Sequence, residues 1–152
     1  MNRATQQTLV VLTALLLAPL AVLPAAAAPA VINLRQSPCS AAADGMKDDR
    51  PALAAAFAAA KWGDTVFVPA GDYRIVLPQG ARLSMPEGVA LVGERGLSKF
   101  VLVSDGDAKS HREFLLPGSS SVIQGIHFAK EGTFPAVLFP LFGGRDEIVF
   151  RD

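Results

Sequence analysis

A mainly β chain with one N-terminal helix is what this sequence predicts, and three observations predict it. Beyond residue 63, short β-branched and aromatic runs alternate with Gly- and Pro-containing breakers, the spacing of a sandwich, a barrel or a solenoid. Only one stretch, alanine-rich and beginning at Arg50, carries a helical period. In Ile123-Gln124-Gly125-Ile126-His127-Phe128, simple alternation cannot bury Ile123, Ile126 and Phe128 together, whereas a bulge or bend at Gly125 turns all three to one side. Solenoid coils bend in this way, and SSSVIQGIHF is echoed by GRDEIVFRD about one coil later, within the roughly 20 to 50 residues of solenoid repeats. Two approximate copies leave sandwich and solenoid level.

The first residues stand apart from that pattern. Arg3 supplies a positive start, Leu9 to Leu23 form an apolar run, and Pro24 to Ala30 offer small residues in A-x-A spacing. Residues 1–28 therefore read as a secretory signal peptide, with cleavage somewhere between 27 and 30. An anchor would need roughly 20 apolar residues with charged flanks, and no basic stop-transfer cluster follows. The expected location is secreted or periplasmic, with no membrane association after cleavage.

Past the leader, Ala30 to Leu34 is a strand candidate. Asp48 and Asp49 precede Arg50-Pro51, and Pro suits the first helical turn because its missing N–H has no partner there in any case. Asp49 is the expected N-cap, and the helix runs from about 50 to 62. Leu53, Ala56, Phe57 and Ala60 make one apolar stripe, and Gly63 is the expected C′ stop. The strand Thr65 to Val68 follows, then a type I turn at Pro69-Ala70-Gly71. Further strands are expected at Tyr73 to Val76, Val89 to Val92, Phe100 to Val103, Glu113 to Leu116, Val122 to Phe128, Ala136 to Phe139 and Glu147 to Phe150. The breakers between them are PQG, PEG, GERG, DGD, PGSS, KEGTFP and FGGRD.

Composition excludes more than it selects. Lys plus Arg and Asp plus Glu both total 14, so the formal charge is zero. Nothing here forms the basic footprint of a nucleic-acid binder. The 51% hydrophobic content is inflated by the leader and by alanine. A single cysteine, Cys39, cannot close an internal disulfide.

Chemistry is sparsely signalled. Asp44, Asp48 and Asp49 offer oxygen ligands to a cation such as calcium, but lack the EF-hand spacing and read as loop and cap. Asp105 and Asp107 form a D-G-D turn, and carboxylate pairs roughly 5 to 9 Å apart drive glycoside hydrolysis. Asp-Gly is more often only a turn. Arg145 and Asp146 follow a Gly-Gly pair and complete the weak catalytic candidates. His127 is expected to face outward if Ile126 faces in, and His111 sits on a loop. Trp62 and Tyr73 fall in structural positions. No G-x-S-x-G elbow, H-E-x-x-H or phosphate loop is present.

ADGMKDDRPALAAAF, GDTVFVPAGDY, LPQGARLSMPEGVALVGE and SSVIQGIHF together resemble the opening of the pectate lyase superfamily domain, the rhamnogalacturonase and epimerase-like right-handed parallel β-helix. Asp44-Gly45 with Asp48-Asp49 resembles its G-D-G-x-x-D-D loop. Pro69, Gly71 and Tyr73 fall in its V-x-V-P-x-G-x-Y, and Gly93 closes its G-V-x-L-x-G. Ala43 stands where the family usually has Gly, and Arg50-Pro51 where Thr is common. The resemblance covers residues 31–152 and implies a solenoid whose helix caps the first coils. It also implies a polysaccharide partner, lyase, hydrolase or epimerase chemistry, and a calcium requirement in some members; no cofactor is evident from the residues. Catalytic coils in such enzymes lie beyond the cap, so the chain is expected to be the N-terminal part of a longer enzyme and inactive by itself. The alternative is a non-catalytic carbohydrate-binding or adhesion scaffold.

Overall fold

The computed structural model describes residues 28–106, 112–138 and 149–151. In chain order the elements are β1 (Val31–Asn33), β2 (Asp44–Asp48), α1 (Arg50–Ala59), β3 (Thr65–Val68), β4 (Gly71–Leu77), β5 (Leu83–Ser84) and β6 (Ala90–Gly93). They continue with β7 (Ser98–Ser104), β8 (Arg112–Glu113), β9 (Leu115–Leu116), β10 (Val122–Gln124), β11 (Ile126–Glu131), β12 (Ala136–Val137) and β13 (Val149–Arg151). The leader expected at 1–28 lies, but for residue 28, outside the described residues.

The described residues are mainly β, with parallel sheets and one helix. A five-stranded sheet runs β1-β3-β6-β10-β13 and a four-stranded sheet β11-β7-β4-β2, with two-stranded sheets β12-β8 and β5-β9. Among the described residues every pairing is parallel, and parallel neighbours cannot be joined by hairpins. The chain goes from the five-stranded sheet to the four-stranded one, on through a short strand, and back beside the strand it left. Thr65 is thus in register with Ala90, Ala90 with Val122, and Val122 with Val149. This arrangement is consistent with a β-helix-like fold. In the first circuit α1 takes the place that β5 takes in the second, and it packs on β4 and β5.

Register stacks like upon like in the core. Val66, Leu91 and Ile123 align in the first sheet and are buried. Tyr73, Phe100 and Phe128 align in the second, with Tyr73 and Phe100 edge-to-face at 5.6 Å and Phe100 and Phe128 at 5.9 Å. Burial of each such side chain is worth about 1.5–3 kcal/mol. Ala52, Leu53, Ala56 and Phe57 bury the inner face of α1 against the same cluster, in agreement with the expected stripe except that Ala60 is half-buried.

Several expectations change. The helix stops at Ala59 rather than 62, and Ala60 is extended. Its Lys61 N–H, instead of continuing the helical ladder, donates to Asp64 Oδ2 at 2.8 Å, so Gly63 belongs to a later turn. Asp49 holds the N-cap position without a side-chain capping bond. The DGM segment expected as loop is strand β2, an irregular edge beside β4. Pro69-Ala70-Gly71 forms no closed turn: the Gly71 N–H donates to the Leu97 carbonyl at 3.0 Å, tying a corner to the next circuit. The 113–116 strand is broken at Phe114, which turns inward to meet Phe100 and Phe128 at 5.8 and 5.9 Å.

The bend at Gly125 is present, between β10 and β11. Gly125 has φ +69, and a methyl group there would meet the Gly93 carbonyl oxygen; one on Gly93 would meet Ile126 and Gly125. Ile123 is buried, Ile126 and Phe128 pack half-buried on the core, and His127 faces solvent.

Candidate functional site

Two glycines in contact at that corner let successive circuits approach closely, and after Gly93 the chain makes an exposed loop before β7. Glu94 to Leu97 forms a tight loop in which the Leu97 and Ser98 N–H groups both donate to the Glu94 carbonyl at 2.9 Å. Ser98 is fully buried; its hydroxyl donates to the Val68 carbonyl at 2.7 Å and accepts from the Glu94 N–H at 2.8 Å. The Glu94 carboxylate accepts from the Ala70 N–H at 3.2 Å. It is therefore held at the preceding corner, and Arg95 beside it is exposed.

Arg95 and Gly96 form one wall of an open cleft of about 260 Å³, with Gly125, Ile126, His127 and Arg151 completing it. Register places Gln124 beside Arg151, and the Gly125 N–H donates to the Arg151 carbonyl at 3.3 Å. Among the described residues none forms an ion pair with Arg95, His127 or Arg151, and no carboxylate lines the cleft. Alongside, Asp72, Lys99 and His127 stand in register across β4, β7 and β11. The Lys99–Asp72 pair at 3.5 Å is exposed enough to be worth only about 0–1 kcal/mol. Two guanidiniums and an imidazole around an open depression can do one thing well, which is to receive an anion by charge-assisted hydrogen bonds.

The residues singled out from sequence lie elsewhere. Asp105 is exposed; its carbonyl accepts from the buried Arg112 at 3.1 Å, and its carboxylate stands 3.9 Å from the same guanidinium. Asp107, Arg145 and Asp146 lie outside the described residues, as does His111. Asp44 accepts from the Met46 and Lys47 N–H groups at 2.8 and 3.0 Å, and Gly45 follows it in β2. Asp48 accepts from Arg50 and Val76, both at 3.0 Å. Asp49, buried, accepts from Ala42 and Ala43 at 2.7 and 3.0 Å. One oxygen each of Asp44 and Asp48, and both oxygens of Asp49, are thus engaged by backbone N–H groups. Among the described residues no group of three His, Cys, Asp or Glu is placed to hold a metal. Tyr73 is fully buried and donates to the Pro69 carbonyl at 2.9 Å; burial pushes its hydroxyl up to about 12. Trp62, expected in a structural position, is exposed.

Arg95, His127 and Arg151 were not visible together in the sequence, being held on three successive circuits. Once the copies at Gly93 and Gly125 are aligned, GERG and GIHF become neighbours, and that alignment was the available signal.

The chain is 40% identical over 88 residues to mannuronan C5-epimerase AlgE1 of Azotobacter vinelandii, a match covering 53% of this chain and 6% of that enzyme. The chain thus has a partial relation to a polysaccharide-modifying enzyme, of which it spans a small part. No family model matches it, and no solved structure does. Among the described residues no helix is long and apolar enough to cross a membrane.

Proposed function

We propose that this chain is the N-terminal part of an exported right-handed parallel β-helix domain, and that its Arg95–His127–Arg151 cleft binds the carboxylates of an acidic polysaccharide. The observation that carries the reading is a pair of guanidiniums on an open cleft, with no acidic partner among the described residues. A uronate polymer such as mannuronan repeats a carboxylate along its length, and planar guanidinium matches carboxylate in geometry as well as charge. The register steps of about 25 to 32 residues lie within the period of solenoids. A stack of coils needs its apolar end closed, and α1 occupies the corresponding position in the first circuit. The epimerase match supports a role in polysaccharide modification. Among the described residues no carboxylate lines the cleft; on this reading its residues hold substrate, and chemistry belongs to circuits further along the domain.

Titration of the protein with polymannuronate, with neutral dextran as control, tests this. Polymannuronate should bind, and the Arg95→Ala/Arg151→Ala variant should bind at least about tenfold more weakly, since each charged hydrogen-bonded contact is worth about 1.5–3 kcal/mol. Equal binding of dextran, or an unchanged affinity in the variant, would sink the assignment.

A further inference from the structure

The described residues leave few large apolar side chains in water, and Trp62 is one of them at 67% exposed. It is also the only tryptophan of the chain. Such exposure is unusual for a side chain that generally buries 150–250 Å², and the ring is not loose. Its benzo portion lies against Gly88: a methyl group on Gly88 would collide with indole Cδ2, Cε2 and Cε3. Backbone hydrogen bonds fix both partners, the Gly63 N–H donating to the Gly88 carbonyl at 3.0 Å and the Gly88 N–H to the Ser119 carbonyl at 2.9 Å. Gly88 itself has φ +66, a conformation that glycine adopts without steric cost. The indole is therefore seated on bare backbone at a corner that recurs two residues before β3, β6 and β10, where Gly63, Gly88 and Ser120 all have positive φ. The rest of the ring is left to solvent.

We infer that Trp62 is a second carbohydrate contact, an indole platform for the apolar C–H face of a pyranose ring. A flat, pre-positioned aromatic surface loses little conformational freedom on binding, and its N–H can still reach a sugar hydroxyl. Lys61 and Glu87, both exposed, flank it with groups suited to the hydroxyls of the same ring. The platform stands before the start of β6 (Ala90–Gly93) and the cationic cleft beyond its end, separated by more than the roughly 13 Å that four residues span at about 3.3 Å each. Between them runs the outer face of the sheet, half-buried Thr65, Phe67, Ala90, Val92, Val122 and Gln124. One polymer would then meet cations at one end of the strands and an aromatic at the other. The inference rests on the polysaccharide reading above.

A lone tryptophan makes its own reporter. The full chain is titrated with polymannuronate while Trp62 emission and acrylamide quenching are recorded, beside Trp62→Ala, Trp62→Phe, Gly88→Ala and the Arg95/Arg151 double variant, with circular dichroism to establish folding. The expected result is a blue shift and protection from acrylamide on binding, about tenfold weaker binding in Trp62→Ala, and partial recovery in Trp62→Phe. Gly88→Ala, which displaces the ring while keeping it, should weaken binding and abolish the blue shift. Arginine-dependent binding that leaves Trp62 emission and the Trp62→Ala affinity unchanged would overturn the platform and spare the cleft. Absence of all polymannuronate binding would overturn both. Shielding from acrylamide in the free protein would show the ring already covered by residues 1–27 or a second copy, and would equally overturn it.

Discussion

Asp64 shows how a single carboxylate organises the beginning of this chain. It is buried, and its two oxygens accept from the Ala30 N–H at 2.7 Å and the Lys61 N–H at 2.8 Å. Those two donors, Ala30 first, hold its carboxyl below the ordinary range. Its folded value lies below its unfolded one, so the stability it contributes is present above about pH 4 and is lost as acid carries the pH down through the folded value. Asp49 has the opposite sign. Burial pushes its carboxyl up despite the N–H groups of Ala42 and Ala43, so protonation occurs more readily in the fold than in the unfolded chain, and falling pH through that raised value adds stability. Urea midpoints measured from pH 7 to pH 3 should therefore fall less steeply in Asp64→Asn than in the parent, and more steeply in Asp49→Asn. Parallel curves for all three proteins would show that these bonds do not set the acid response. Sequence offered Asp49 as a helix cap and did not offer Asp64 at all. Both bind N–H groups whose positions depend on where the chain comes back to, and no local pattern records that.

Among the elements, α1, β3 and most of the strands after it were legible because their signals are local; β5 (Leu83–Ser84) was not expected, and β8 and β9 were expected as one strand. Alanine content, Pro51 near the start and the spacing of Leu53, Ala56 and Phe57 describe a helix wherever it is placed. β2 was missed because Asp44–Asp48 has no β propensity; it is a strand only because β4 lies beside it. The aromatic ladder across β4, β7 and β11 is the energetic centre of these elements. Phe100 touches Tyr73, Phe114 and Phe128 at once and is fully buried, so Phe100→Ala should cost about 3–5 kcal/mol of unfolding free energy. Phe128→Ala, at the half-buried end of the same ladder, should cost clearly less. Chemical denaturation of the two variants gives the ordering, and equal losses would contradict the stacking described.

At the scale of the whole molecule, the cleft and the indole platform turn a neutral chain into one with a sided surface. The formal charge is zero, yet Arg95 and Arg151 meet at one corner, and it is local potential rather than net charge that attracts an anionic polymer. Affinity for polymannuronate should fall as salt rises from about 0.05 to 0.5 M, because exposed charges are screened over about 10 Å at 0.1 M and about 3 Å at 1 M. Isothermal titration at several ionic strengths reads the slope, and it should flatten in the Arg95/Arg151 variant. A salt-independent affinity would place the recognition elsewhere.

By itself the sequence determined that the chain is mainly β, that one helix opens it, and that Gly125 bends it, since these depend on propensity and period along a few neighbouring residues. Its likeness to a family of polysaccharide enzymes was carried by short motifs of the same local kind. Only the tertiary structure decided that the described strands pair in parallel, that Asp105 serves Arg112, that Trp62 stands in solvent, and that Arg95, His127 and Arg151 share a cleft. The physical reason is that parallel pairing joins residues a full circuit apart, so the groups that meet are chosen by register, and register is settled by packing of the buried ladder rather than by any local run of residues.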